Sequence, residues 1–592
     1  MIHVNDRIAA LQSYLKEQGL SSLYISGTDV HLGEYVPERY RTRQWITGFT
    51  GSAGTVIVTT DACHLWVDSR YHIQGEVQTK GTSVTLHLLG AEGVLDPFEW
   101  VGEQQLDVLA VDGSTISVDD YRTLKKNLSG SKTSLTLISD IFNELWIDRP
   151  DRPFSMLKEL PLEIAGRSRG EKFELLRASM KESNASSMVI STLDDIAWVL
   201  NLRGRDLPFT PVFYAYLVIT EERTVLFTDL ERFDEDLRTI VSADIELFSY
   251  ESFYEELSGL IAPCPVAVVS TSQTTVELFS RLQEEAEVVE CNIQISSFLK
   301  ARKDATEIEG FRRAHYLDGI ALVRLLSSLE NNQEPLDEIS IATRLESFRK
   351  ESDEYLFPSF SPIAGFASHG AMEHYSASEE SSSKLSGDSL LVLDTGGQYL
   401  TGTTDVTRTL LFGEPSDEMK RDYTLVLKGN LALSRARFPR GTKGYQLDVL
   451  ARQFLWNRGY AYTHGTGHGV GFCLGVHEGP MRISPHPIEI PLEPGNVLSN
   501  EPGLYRRDLY GIRLENLVTV FEEGVSEFGP FYTFEVLTLC PFERRLIDLS
   551  LLTDEEVSML DAYHQWVYDE LSRSLDEPDE QWLRQATLPL KN

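Results

Sequence analysis

Two rhythms of apolar and polar positions run along this chain, and the change between them marks its organisation. The opening stretch, MIHVNDRIAALQSYLKEQGL, carries charges inside a helical apolar pattern, so it predicts an amphipathic helix and not a signal peptide. The segment KEQGLSSLYIS (16–26) ends a helix-period stretch in a β-type run, and KESNASSMVIS (181–191) does the same. Further on, VIVTTDACHLWVD (56–68) lines up with LVITEERTVLFTD (217–229); each reads as a strand, a polar turn and a second strand ending in Asp. Two copies of one helix-plus-sheet domain are the simplest account. Between them, RPDRPFSMLKELPLEIAG (149–166) carries prolines that disfavour helix and predict an exposed linker.

Beyond residue 298 the texture changes. LKARKDATEIEGFRRAHYLDGIALVRLLSSLE (299–330) keeps a helical period throughout, and EMKRDYTLVLKGNLALSRA (418–436) predicts another helix. SLLVLD (389–394) and IRLENLVTV (512–520) read as strands, SASEESSSKLSGD (376–388) as a loop, and the acidic tail after about 575 as a frayed end. Helices and hairpins without a regular strand–helix–strand beat predict an α+β domain. The expected division is therefore 1–158 and 159–298, two related α/β domains, followed by 299–592.

Composition narrows the function classes. Hydrophobic residues make up 42% and charged residues 24% of 592, which excludes a disordered, collagen-like or disulfide-scaffold protein. Lys and Arg number 54 against 90 Asp and Glu, a formal charge of −36. Such a surface repels phosphate backbones and anionic lipid, so neither nucleic acid nor membrane is an expected partner, whereas cationic peptides are attracted. The cysteines (Cys63, Cys264, Cys291, Cys473 and Cys540) are scattered and form no CxxC, which fits a reducing compartment. With no run of about 18 apolar residues, the expectation is a cytoplasmic protein.

Acids and histidines gather in three segments of the last domain. LLVLDTGGQYLTGTTDVTRTLLFG (390–413) reads as a hairpin with Asp394 on one arm and Asp405 on the other. THGTGHGVGFCLGVHEGP (463–480) holds His464, His468 and His477 among glycines, which argue against helix and let backbone approach a ligand. SNEPGLYRRDLYGIRLENLVTV (499–520) offers Glu501 and Glu515, and strand alternation puts Arg513 on the same face as Glu515. Acids among Leu, Val and Ile are costly unless paired or metal-bound. Two Asp, two Glu and one His form a hard donor set suited to Mn(II), and also to Co(II) or Zn(II). Four carboxylates balance two divalent ions; without metal, each carboxylate pair about 4 Å apart costs about 1–4 kcal/mol. Taken singly, each residue has a plainer reading: a strand Asp is commonly a turn or cap residue, and Arg513 could simply pair with an acid. The ordered set is what carries the signal.

That ordered set, with HGTGHGVG and VHEGP, resembles the pita-bread metallopeptidases and, among them, the long three-domain aminopeptidase P branch; FTGSAGTVIVT (49–59), DDIAWVLNLRG (194–204) and FEVLTLCPFERRLIDLSLLTDEE (534–556) also resemble that form. The resemblance implies two creatinase-like N-terminal domains and a pita-bread catalytic domain. It implies hydrolysis of the first peptide bond of Xaa-Pro peptides by a hydroxide shared between two divalent ions, Mn(II) before Zn(II) or Co(II). By the same resemblance Asp394 binds one metal, Asp405 and Glu515 bridge, His468 binds the other, and Glu501 is both ligand and general base. His374, His464 and His477 face the substrate, Arg513 backs the ligands, and the chain forms a homodimer. The chain departs from the family pattern at GAMEHYSAS, where the residues before His374 are less aliphatic than usual, and at Cys473, five positions after His468.

Other readings are weaker. LLVLDTGG fits the DTG pattern of aspartic proteases, but no second DTG or DSG occurs to supply the partner aspartate. Prolidase shares the metal set but cuts only dipeptides, and methionine aminopeptidase is a single smaller domain. A catalytically silent pita-bread binding module would tend to lose ligands, and all five stand here.

Overall fold

The sequence repeats fold as two sheets with the same wiring. The computed structural model describes residues 3–264, 266–330 and 335–591. Its first sheet takes strands Ser22–Ile25, Thr55–Thr59, Cys63–Val67, Val84–Leu88, Val108–Asp112 and Ser134–Ile138. The second takes Ser187–Ile190, Tyr216–Thr220, Thr224–Phe227, Glu246–Phe248, Val266–Ser270 and Glu287–Cys291. Numbered one to six in chain order, each sheet runs 4-3-2-1-5-6. In both, strand two pairs antiparallel with one and three, and the remaining neighbours are parallel. The repeated segments land on strands one to three of each copy. Strand one is buried along its whole length in both, as its unbroken apolar run requires.

These copies belong to one compact unit, which runs to Leu160 and adds Arg167–Pro208 and Val212–Phe298. They meet through equivalent positions. The Ser117 hydroxyl caps helix Val118–Asn127 and the Thr275 hydroxyl caps helix Val276–Glu285. Between the caps, Val118 N donates to Thr274 O and Val276 N donates to Ile116 O, each at 3.1 Å. The stretch expected as an exposed linker is partly docked instead. Lys158–Glu159 pairs with Leu202–Arg203, and Leu157 and Leu160 are buried, because apolar residues among the prolines find neighbours to cover them.

The second unit holds the chain from Leu299 on, with Pro161–Gly166 and Phe209–Pro211. Its long helix is Ala305–Glu330 and not the full predicted span; Asp304 breaks the run by accepting hydrogen bonds from Thr306 N and Glu307 N. A six-stranded antiparallel sheet is ordered Arg437–Pro439, Gly529–Val536, Asn516–Ser526, Val497–Asn500, Gly467–Gly469, Glu478–Ile483. A three-stranded sheet sets Ser389–Thr395 between Ile363–Phe366 and Val406–Phe412. Helices Asp417–Ser434 and Gly444–Trp456 pack together, and Leu390, Leu427, Ile512 and Leu514 share a buried cluster. This is the mixed α/β and α+β architecture expected from the pattern. The tail is not frayed: Glu577–Ala586 is a helix capped by Asp576, with Leu583 fully buried. Its acids lie in the first turn, where the helix dipole favours negative charge, so a composition that reads as disorder serves a helix start. Among the described residues no helix is long and apolar enough to cross a membrane.

Candidate metal centre

The predicted hairpin forms, with Asp394 opposite Thr407 and Thr395 opposite Val406. Asp405 stands immediately before the second arm. His468 comes from the short strand Gly467–Gly469, which pairs with Glu478–Ile483 and Val497–Asn500, so the glycine-rich stretch is extended as expected. Glu501 follows Val497–Asn500, and its N donates to Thr466 O at 2.8 Å, beside the strand that carries His468. The segment read as one strand over 512–520 is two. Tyr510–Arg513 pairs with Gly503–Arg506, and Asn516–Ser526 joins the large sheet. Backbone partners explain the step: Leu514 N donates to Pro502 O at 3.2 Å and Glu515 N to Thr407 O at 3.0 Å. Arg513 and Glu515 still converge on one point. The Thr407 hydroxyl accepts from Arg513 Nε at 3.3 Å and donates to Glu515 Oε2 at 2.9 Å.

The ligand atoms of Asp405, His468 and Glu515 lie within 4.8 Å of one another. His468 Nε2 is 3.4 Å from Asp405 Oδ2 and 3.7 Å from Glu501 Oε1. His468 Nδ1 faces Gly469 O at 2.9 Å; a proton there leaves the Nε2 lone pair turned toward the acids. Burial pushes the Asp405 carboxyl well above the usual carboxylate range, with Asp394 and Glu501 adding to it. Glu501 is raised by burial and then by Glu515, and Glu515 by burial and then by Asp405 and Asp394. Asp394 Oδ2 accepts from Arg513 Nη2 at 2.6 Å. Its Oδ1, like Glu515 Oε1, is buried and accepts no hydrogen bond. Buried oxygens without a donor are costly, and a hard divalent cation supplies what they lack. The donor set therefore fits the metal pair expected from the sequence.

Around the acids runs a chain of polar contacts that the motifs did not reveal. Arg513 Nη1 donates to the Tyr505 hydroxyl at 2.7 Å, and that hydroxyl lies 2.9 Å from His464 Nε2. His464 Nδ1 faces Gly465 O at 2.7 Å, so its Nε2 is the acceptor and Tyr505 the donor. The register of a hairpin that the sequence did not reveal places Tyr505. Gly503 opposes Arg513 and Tyr505 opposes Gly511, which puts Tyr505 and Arg513 diagonally on one face. The ring of His477 stands 4.5 Å from that of His468, edge to face. His374 lies in the turn after the short helix Ala367–Ala371. Its neighbour Glu373 accepts from the Thr463 hydroxyl at 3.2 Å, which ties this turn to the His464 segment. Cys473 is fully buried, as a packing role requires.

The profile of metallopeptidase family M24 matches residues 309–522, and that of the C-terminal region of peptidase M24 matches 530–590. Creatinase/prolidase N-terminal domains match at 7–145 and again at 148–307. The aminopeptidase P2 of Arabidopsis thaliana is 36% identical over 99% of this chain and 89% of its own. An X-prolyl aminopeptidase from Caenorhabditis elegans, described as a cytosolic enzyme with a di-nuclear active site, superposes with a TM-score of 0.95 at 31% identity over the whole of both chains. An Xaa-Pro dipeptidase from Bacillus anthracis spans 64% of this chain and 99% of its own, with a TM-score of 0.52 at 25% identity. The chain is thus a metallopeptidase, and it belongs to the aminopeptidase P family.

Proposed function

We propose that the protein is an Xaa-Pro aminopeptidase, removing the first residue from peptides with proline in second place. The observation that carries the reading is the gathering of Asp405, His468 and Glu515 within 4.8 Å, with Glu501 3.7 Å from His468 and buried, unpartnered oxygens on Asp394 and Glu515, in a chain that matches an aminopeptidase P over 99% of its length. Asp394, Asp405, His468, Glu501 and Glu515 would hold two divalent ions, Mn(II) first, with Zn(II) or Co(II) as alternatives. When bound, such ions lower the pKa of water and polarise the scissile carbonyl.

The chain's own groups do the rest. Glu501, held at Oε1 by the Ser499 hydroxyl at 3.4 Å, takes the proton of the attacking water and passes it to the leaving proline nitrogen. His374 and His477 face the substrate and stabilise the developing oxyanion. His464 joins them by trading its Tyr505 contact for the substrate's. Arg513 keeps Asp394 oriented. Proline suits a site of this kind because its tertiary amide offers no N–H for an extended-strand protease to grip.

Catalysis belongs to 299–592, with 1–158 and 159–298 as the accessory domains. A homodimer is proposed on the exposed apolar pair Val449 and Trp456, on one helix and seven residues apart. A cytoplasmic site of action completes the reading. The deciding assay incubates the purified protein and Mn(II) with an Arg-Pro-Pro peptide and with an Xaa-Pro dipeptide, read by mass spectrometry. Release of the N-terminal Arg is expected; cleavage of the dipeptide alone would make the protein a prolidase. Glu501→Gln should cut turnover by at least a hundredfold, and wild-type turnover in that variant would refute the assignment of the base.

A further inference from the structure

Behind the hairpin lies a buried ion pair that touches none of the five ligands. Asp318 projects from helix Ala305–Glu330, and Arg349 ends helix Glu338–Arg349. Their side chains are 3% and 2% exposed. Arg349 grips Asp318 with two hydrogen bonds, Nε to Oδ1 at 2.6 Å and Nη2 to Oδ2 at 3.2 Å. Each partner also holds one arm of the hairpin. On the first arm, Arg349 Nη1 donates to the Thr395 hydroxyl at 2.7 Å and to Gly396 O at 3.0 Å. On the second, Asp318 Oδ2 accepts the Thr404 hydroxyl at 2.9 Å. The Tyr399 hydroxyl, from the tip between the arms, donates to Asp318 Oδ1 at 3.0 Å.

The two threonines adjoin the two aspartates: Thr395 follows Asp394, and Thr404 precedes Asp405. The arms approach so closely here that a Cβ on Gly396 would collide with Thr404 O. A charged pair this deeply buried is weak evidence for stability, since desolvation offsets the attraction. Its contacts are better explained by placement. We propose that Asp318 and Arg349 are positioning residues that fix the separation of Asp394 and Asp405, and through it the spacing of the two metal ions; this rests on the reading of those aspartates as ligands. Each arm is held by one member of the pair and the members by each other, so loosening either lets one aspartate drift from the other.

The test uses the full chain, stripped with chelator and titrated with Mn(II). Arg349→Lys keeps the charge but loses the planar fork. Thr395→Val and Thr404→Val each remove one hydroxyl at constant size, and Thr395→Ser and Thr404→Ser restore it. Calorimetric titration should show the second Mn(II) bound ten- to a hundredfold more weakly in Arg349→Lys and in the valine variants, the scale of a lost outer contact. Electron paramagnetic resonance of the loaded proteins should show altered coupling between the ions. The rate constant kcat should fall with KM within about twofold, and both serine variants should return toward wild type. Two ions bound with wild-type affinity and spectrum in all three altered proteins would overturn the proposal. If Arg349→Lys does not fold, the same result in the valine variants alone overturns it. Wild-type protein that takes up fewer than two ions would overturn the metal assignment itself, and the positioning role with it.

Discussion

At the scale of single residues, the Thr407 hydroxyl and the Glu515 carboxylate show how tightly the centre is balanced. Thr407 serves Arg513 and Glu515 at once, accepting from one and donating to the other. Thr407→Val should weaken Mn(II) binding about tenfold while leaving the fold intact, measured by titration calorimetry and circular dichroism. Glu515→Gln should act in opposite directions on the two forms of the protein. Metal uptake should drop below two ions, yet the metal-free variant should melt higher than metal-free wild type, because one member of a crowded, buried acid cluster is gone. A lower melting temperature in the metal-free variant would count against the repulsion argued here. The acids and His468 stood out in the sequence because residues of these types, in that order, suit a divalent ion. Tyr505 and Thr407 did not, because a tyrosine or threonine in a strand is ordinary until its hydroxyl is seen between two partners.

Elements carry these residues into place through close backbone approach. Strand Tyr510–Arg513 passes the turn Ala367–Ala371 so nearly that a Cβ on Gly511 would collide with Gly370 O. Gly511→Ala should therefore push the strand outward, carry Arg513 away from Asp394, and lower kcat at least tenfold, with a melting temperature several degrees below wild type. Unchanged kinetics would mean that the turn yields freely. The hairpin around Asp394 was legible because its Gly turn and flanking apolar runs are local signals. The split at Leu514 was not, since it depends on which distant strand takes each backbone N–H. The C-terminal helix was missed for a related reason: its acids resemble a solvated tail until they are placed in a first turn.

For the molecule as a whole, charge and protons set two expectations. Asp405, Glu501 and Glu515 bind protons more tightly folded than unfolded, so this contribution to the stability of the metal-free protein is full below the ordinary carboxylate range and is lost as pH rises through the raised values. Metal needs the deprotonated acids, so the melting-temperature gain on adding Mn(II) should grow as pH rises above the ordinary carboxylate range. In that window the buried imidazoles of His31 and His315, lowered to about 4 by burial, are already neutral and do not oppose the trend. A gain that is flat with pH would count against raised acids at the metal site. The formal charge of −36 predicts that added salt lowers kcat/KM for an Arg-Pro-Pro peptide more than for a neutral one. The seam between the two N-terminal copies has its own corollary. Each half offers its neighbour the same short stretch, Ser117 answering Thr275, so the pair behaves as a dimer written into one polypeptide. In such an arrangement the halves are interchangeable at the join: exchanging the serine and the threonine between the two positions should go almost unnoticed, while removing either hydroxyl should be felt on both sides.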